Sequence, residues 1–117
     1  MMHELALSQN ILDIARSHMG DAHRLKKVVV SCGPFSGVVA DSLDFCFSIT
    51  AEHMGLAGAA LEIQLLETEA TCPACGVRGA IDSMWASCGA CGHAPLTAEG
   101  GRELKIVEIE VEEVDGV

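Results

Sequence analysis

Residues 72–92 read C-P-A-C-G-V-R-G-A-I-D-S-M-W-A-S-C-G-A-C-G, so Cys72, Cys75, Cys88 and Cys91 fall in a C-x2-C-x12-C-x2-C pattern with Gly76 and Gly92 directly behind the two pairs. Each C-x-x-C places two sulfurs on one tight turn, and the glycine behind it lets backbone N–H groups approach the thiolates and disperse their charge. Two such turns supply a closed tetrahedron. Zn2+ suits four thiolates because its filled d shell imposes no geometry, and its binding contributes an apparent ~10 to 16 kcal/mol to folding a segment too small for a core. A rubredoxin-like iron site uses the same ligands, but little aromatic shielding surrounds these cysteines. A thiol redox pair normally occurs as a single C-x-x-C at a helix start. The pattern therefore predicts a zinc-ribbon-like module in which four cysteines hold structural Zn2+. His93, two residues past Cys91, reads as an exposed loop histidine, with tuning or replacing a ligand as the alternative.

The chain around this module has 117 residues and suits one compact domain with a small appendage. Half of it is apolar, yet it holds only three Phe, one Trp and no Tyr, so its core must be aliphatic. No stretch approaches the roughly 18 to 20 apolar residues needed to span a bilayer, and the start M-M-H-E-L lacks the basic flank of a signal peptide. A soluble cytoplasmic protein is expected, and in a reducing compartment the clustered cysteines read as metal ligands rather than disulfides. The net charge of −10 repels phosphate backbones and anionic lipid, which excludes nucleic acid and membrane surfaces as good partners.

Upstream of the module, Leu7, Ile11, Ile14 and His18, beside Leu5, Leu12, Ala15 and Met19, fall at helical spacing from His3 to about Met19, with Gly20 as the stop. Leu25 to Cys32 is Val-rich and closes at Gly33-Pro34, a strand followed by a turn. A second helix carries Leu43, Phe47 and Ile49, is capped by Asp41 or Ser42, and stops near Gly55. Cys32 and Cys46, in that strand and helix, read as buried thiols. Leu61, Ile63 and Leu65 alternate with Glu62, Gln64 and Glu67 as in a half-buried strand. Glu103 to Val114 makes the last strand, with Val107, Ile109 and Val111 inward and Leu104 and Ile106 breaking the parity, which points to a bulge or a doubly covered start. The predicted class is α+β: a small three-stranded sheet with two helices over residues 1–69 and 98–117, and the zinc module inserted at 70–97.

Met1-Met2-His3-Glu4 places an imidazole and a carboxylate ahead of the first helix, which by composition alone reads as a solvated terminus. M-H-E-L-A-L-S at the start, S-G-V-V-A-D-S-L-D-F-C-F in the middle, the two C-x-x-C-G turns and G-R-E-L-K-I-V-E-I-E-V-E at the end occur together, in order, from Met2 to about Val114. Together they resemble the HypA/HybF family of hydrogenase-maturation nickel metallochaperones. The resemblance implies a small cytoplasmic monomer or homodimer that carries Ni2+ as cargo to the [NiFe]-hydrogenase large-subunit precursor, working with the GTPase HypB. It places nickel at His3 and Glu4, with the imidazole and backbone amides as donors and Asp41 in support, and zinc at Cys72, Cys75, Cys88 and Cys91. Members carry the histidine directly after the initiator methionine, whereas two methionines precede it here. With Met1 retained, its amine, the amides of Met2 and His3 and the imidazole would form three fused chelate rings around a planar Ni2+.

Two other readings compete. A zinc-ribbon adaptor binding protein or nucleic acid is opposed, for nucleic acid, by charge: Arg78 and Asp82 balance, four thiolates leave the zinc-loaded module about −2, and Trp85 is its one aromatic for stacking. Electron transfer through iron would give a coloured protein. Neither a nucleophile-base constellation nor a G-x-x-x-x-G-K-[ST] phosphate loop is present, so no enzyme is expected.

Overall fold

In a computed structural model that describes residues 2–20, 23–82, 86–94, 96–98 and 100–113, the first element is helix α1 (Met2–Ser17). Its buried stripe is Glu4, Ser8, Ile11, Leu12 and Ala15, spaced by three and four as one helix face requires. This differs from the expected apolar face, because Leu5 and Ile14 lie outside the stripe and are exposed. The helix ends in a tightened turn, where the N–H groups of His18 and Met19 donate to the carbonyls of Ala15 and Arg16.

The chain continues as β1 (His23–Cys32), α2 (Ala40–His53), β2 (Ala60–Leu65), β3 (Thr68–Thr71), β4 (Arg78–Ile81), β5 (Thr97–Ala98) and β6 (Leu104–Glu113). Two three-stranded sheets form, in the orders β2-β1-β6 and β4-β3-β5. Two helices, the first of these sheets and the cysteine module make the α+β chain that the sequence implies. The second sheet does not emerge from the sequence reading. Trp85 and Val114 lie outside the described residues.

The chain separates into two compact units, one of Met1–Val30, Val38–Ile63 and Ile106–Val117, the other of Ser31–Gly37 and Gln64–Lys105. In the first unit, Leu25 and Val28 to Val30 on β1 are buried, as are Leu43, Phe47 and Ala51 on α2. The helices run in the same direction. Glu4 accepts from the Val39 N–H at the start of α2, Ser8 Oγ donates to the Glu4 carbonyl at 2.8 Å and lies 3.5 Å from the Leu43 carbonyl, and the Arg16 guanidinium donates to the Met54 carbonyl at the end of α2. Arg24 pairs with Glu112 and Lys26 with Glu110, so advancing two residues on β1 retreats two on β6, which is antiparallel pairing.

Three expectations need correction. The residue before α2 is Val39, with no side-chain cap; Asp41 and Ser42 fall inside the first turn, because the helix starts at Ala40, ahead of both. Leu65 and Val107 point outward at 73 % and 52 % exposure, since parity on β6 breaks between Val107 and Glu108, and Leu65 follows an exposed Gln64. Ile49 is likewise exposed.

Phe47 is 1 % exposed and Phe45, two residues away, is 68 % exposed. Phe47→Ala should therefore lower unfolding free energy by about 3–5 kcal/mol in urea titration of the zinc-loaded protein. Phe45→Ala should change it by no more than ~0.5 kcal/mol.

Candidate metal centre

Strands β3 and β4 pair antiparallel, with Thr71 opposite Arg78, and the loop between them carries the first cysteine pair. The Cys72 N–H donates to the Val77 carbonyl and the Gly76 N–H to the Cys72 carbonyl. The second pair repeats this: the Cys88 N–H donates to the His93 carbonyl and the Gly92 N–H to the Cys88 carbonyl. Gly76 and Gly92 have φ of 81° and 79°, the left-handed region that glycine enters without steric penalty. These turns leave N–H groups aimed at sulfur, with Cys75 donating to Cys72 Sγ and Ala90 to Cys88 Sγ, both at 3.4 Å.

All four Sγ atoms lie within 4.8 Å of one another, with Cys72 to Cys91 and Cys75 to Cys88 at 3.6 Å. A disulfide needs about 2.05 Å, so these are not bonded pairs. A tetrahedron with zinc-sulfur arms of ~2.3 Å has edges near ~3.8 Å, which the spacing fits. His93 is exposed and contributes its backbone carbonyl to the second turn.

The thiols divide by acidity. The N–H groups of Cys91 and Ala90 bring Cys88 down to about 6. On Cys72, burial opposes ionisation, but the N–H groups of Cys75 and Ala74 outweigh it and lower the thiol. The N–H groups of Val77 and His93 favour the thiolates of Cys75 and Cys91, but neighbouring sulfurs and burial prevail, raising Cys75 and pushing Cys91 up to about 12. Metal binding needs all four as thiolates. Loading zinc at neutral pH should therefore release at least the protons of Cys75 and Cys91, measurable by calorimetry in buffers of different ionisation enthalpy. Removing the metal with a chelator should abolish hydrogen-exchange protection across residues 68–98 while α1 and α2 remain protected.

The other predicted ligands lie elsewhere. Among the described residues the cysteines are the one set of three or more His, Cys, Asp or Glu side chains whose ligand atoms converge. The His3 side chain, on the first turn of α1, is 58 % exposed, with Nδ1 3.4 Å from Glu4 Oε2. Glu4 itself is buried, its Oε2 3.5 Å from the Val39 N. Asp41 is exposed in the first turn of α2, where a negative charge complements the helix dipole. Sequence reasoning missed Glu4 as the acceptor at the start of α2. The donor is 35 positions away and no local signal announces it.

Burial opposes the Glu4 charge, but the bonds from His3 and the Val39 N–H outweigh it and hold the carboxyl below its ordinary 4.5. A carboxyl lowered on folding contributes stability that is present above its unfolded value and lost as pH falls through the folded one. Glu4→Gln should therefore flatten the acid limb of a stability-pH curve, losing less stability than wild type between neutral pH and pH ~3.

A family model described as "Hydrogenase/urease nickel incorporation, metallochaperone, hypA" matches residues 2–111. A hydrogenase maturation factor HypA from a Nostoc species is 39 % identical over 113 residues, covering 97 % of this chain and 98 % of the relative. One from a Geobacter species is 33 % identical over 111 residues, covering 95 % and 100 %. In fold, the chain resembles the solution structure of a HypA protein at TM-score 0.61 and 23 % identity, covering 96 % of this chain and 98 % of that one. It also resembles the solution structure of the Ni metallochaperone HypA from Helicobacter pylori at TM-score 0.58 and 19 % identity, covering 95 % and 97 %. With a matching family model over nearly its whole length and a cysteine site fit for zinc, this chain belongs to the HypA family of nickel metallochaperones for hydrogenase maturation.

Proposed function

We propose that this protein captures Ni2+ at its amino-terminal segment through His3, with Glu4 and Asp41 in support. It would deliver the ion, in the cytoplasm and with the GTPase HypB, to the [NiFe]-hydrogenase large-subunit precursor. In this reading the nickel site belongs to residues 1–69 with 98–117, and structural zinc organises residues 70–97. The protein is a carrier with no catalytic centre of its own.

The observation that carries this reading is the exposed His3 imidazole on the first turn of α1. The first N–H groups of a helix have no intrahelical acceptor, so the amide of His3 is not committed to the helix and can serve as a nitrogen donor. Ni2+ accepts a square plane of nitrogens where zinc takes a sulfur tetrahedron, so the two metals need not compete.

Nickel titration of the zinc-loaded protein tests the reading. Wild type should bind one nickel per chain beyond its zinc, and His3→Ala should weaken it by about tenfold or more, the least that altering a metal site commonly costs. Equal nickel binding by the two proteins would sink the proposal.

A further inference from the structure

We propose that the exposed face of α2 is a docking surface for a protein that presents an apolar groove rimmed by Lys and Arg, and that a protein docked there lies over His3. The purpose of the docking, metal exchange, rests on the nickel reading; the surface itself does not.

The buried face of α2 is Leu43, Phe47, Thr50 and Ala51. Its opposite face carries Asp41, Phe45 and Ile49 at successive turns, beside Asp44, Ser48 and Glu52, all exposed. Phe45 is 68 % and Ile49 40 % exposed, in a chain with only three phenylalanines. Single exposed apolar residues are ordinary. Two large ones a turn apart, at i and i+4, form the pattern by which a helix anchors in a groove.

Charge names the occupant. α2 contains Asp41, Asp44 and Glu52 and no Lys or Arg, so its face is acidic around an apolar centre. A second copy would set acid against acid, and an anionic membrane would be repelled as well. A groove with a basic rim matches both the centre and the edge. Glu4 places the groove's occupant near the metal: its bond to the Val39 N–H ties the His3 turn to the start of α2, where the stripe begins. Val39, 57 % exposed, and Leu5, 43 % exposed, extend the apolar surface toward that turn.

The test is calorimetric titration of the zinc- and nickel-loaded chain with the purified GTPase and, separately, with the large-subunit precursor. Wild type should bind at least one of them. Phe45→Ser combined with Ile49→Ser should weaken that binding by about tenfold or more, as for the centre of an interface. Nickel stoichiometry and helical circular dichroism should be unchanged. Asp44→Asn with Glu52→Gln should weaken binding less and flatten its salt dependence; touching no packed residue, this variant decides the matter if the first loses helicity. The proposal is overturned if the variants bind both proteins as tightly as wild type, if wild type binds neither, or if the apolar variant merely dissolves a wild-type dimer. Wild type that docks normally but takes up no nickel would refute the nickel reading and leave the docking surface standing.

Discussion

Four sulfur atoms within 4.8 Å of one another form an arrangement that cannot be fully ionised without a cation at its centre. The backbone of each turn already favours the thiolate, with N–H groups directed at Cys72 and Cys88. Repulsion then forces the others the opposite way, so that Cys88 falls to about 6 while Cys91 rises to about 12. A divalent ion removes that conflict in one step. Little else in the unit can substitute for it, because the β4-β3-β5 sheet consists of strands of four, four and two residues. Its buried apolar residues include Ala70 and two of the metal ligands themselves, Cys72 and Cys88. Cys75 and Cys91, the other two ligands, are exposed.

The unit that carries α1 and α2 is held differently. Leu12, Leu25, Val28, Val30, Leu43 and Phe47 are all buried to 1 % exposure or less, which is an ordinary aliphatic core. Upon it sit two polar ties between the helices, from Glu4 and Arg16. Both satisfy backbone groups that a helix end leaves without partners, the N–H at its start and the carbonyl at its end. Glu4 is therefore a structural carboxylate as well as a candidate nickel-site residue. A bond from Nδ1 to an incoming metal would take His3 from Glu4 and leave the Val39 bond in place.

The elements legible in the sequence were those whose signal is local. The cysteine spacing and its two glycines describe a turn completely, and the turns are where the spacing puts them. Periodicity located α1, α2, β2 and β6 because each buries part of one face, whereas β1 was marked by its Val-rich run and buries both faces from Val28 to Cys32. Periodicity could not find β3, β4 and β5, since T-E-A-T, R-G-A-I and T-A carry no apolar alternation, the metal standing in for the buried face that would create one. Nor could it assign Glu4 and Ser8 to the buried stripe of α1, because what they meet on α2, the Val39 N–H and the Leu43 carbonyl, is 35 residues distant. Ile49, expected among the packing residues of α2, is exposed beside Phe45, so the helical pattern places two large apolar residues on the wrong side for folding.

On the proposed reading, the contrast between the cysteine turns and the amino-terminal segment follows from what each ion is required to do. A resident metal is best held by a ligand set that closes all coordination positions and forms part of the fold, so that losing the ion unfolds the unit. The cysteine turns meet that condition with four thiolates from two rigid loops. A cargo metal needs donors that can be reached by another protein and given up without unfolding the carrier. On the proposed reading, His3 meets this second condition: its side chain is 58 % exposed, on a first helical turn whose amides make no helical bonds, while the burial that keeps the helix in place begins with Glu4, one residue further on. On that reading His3 can release the ion while the Glu4 bond to Val39 holds the helix in place.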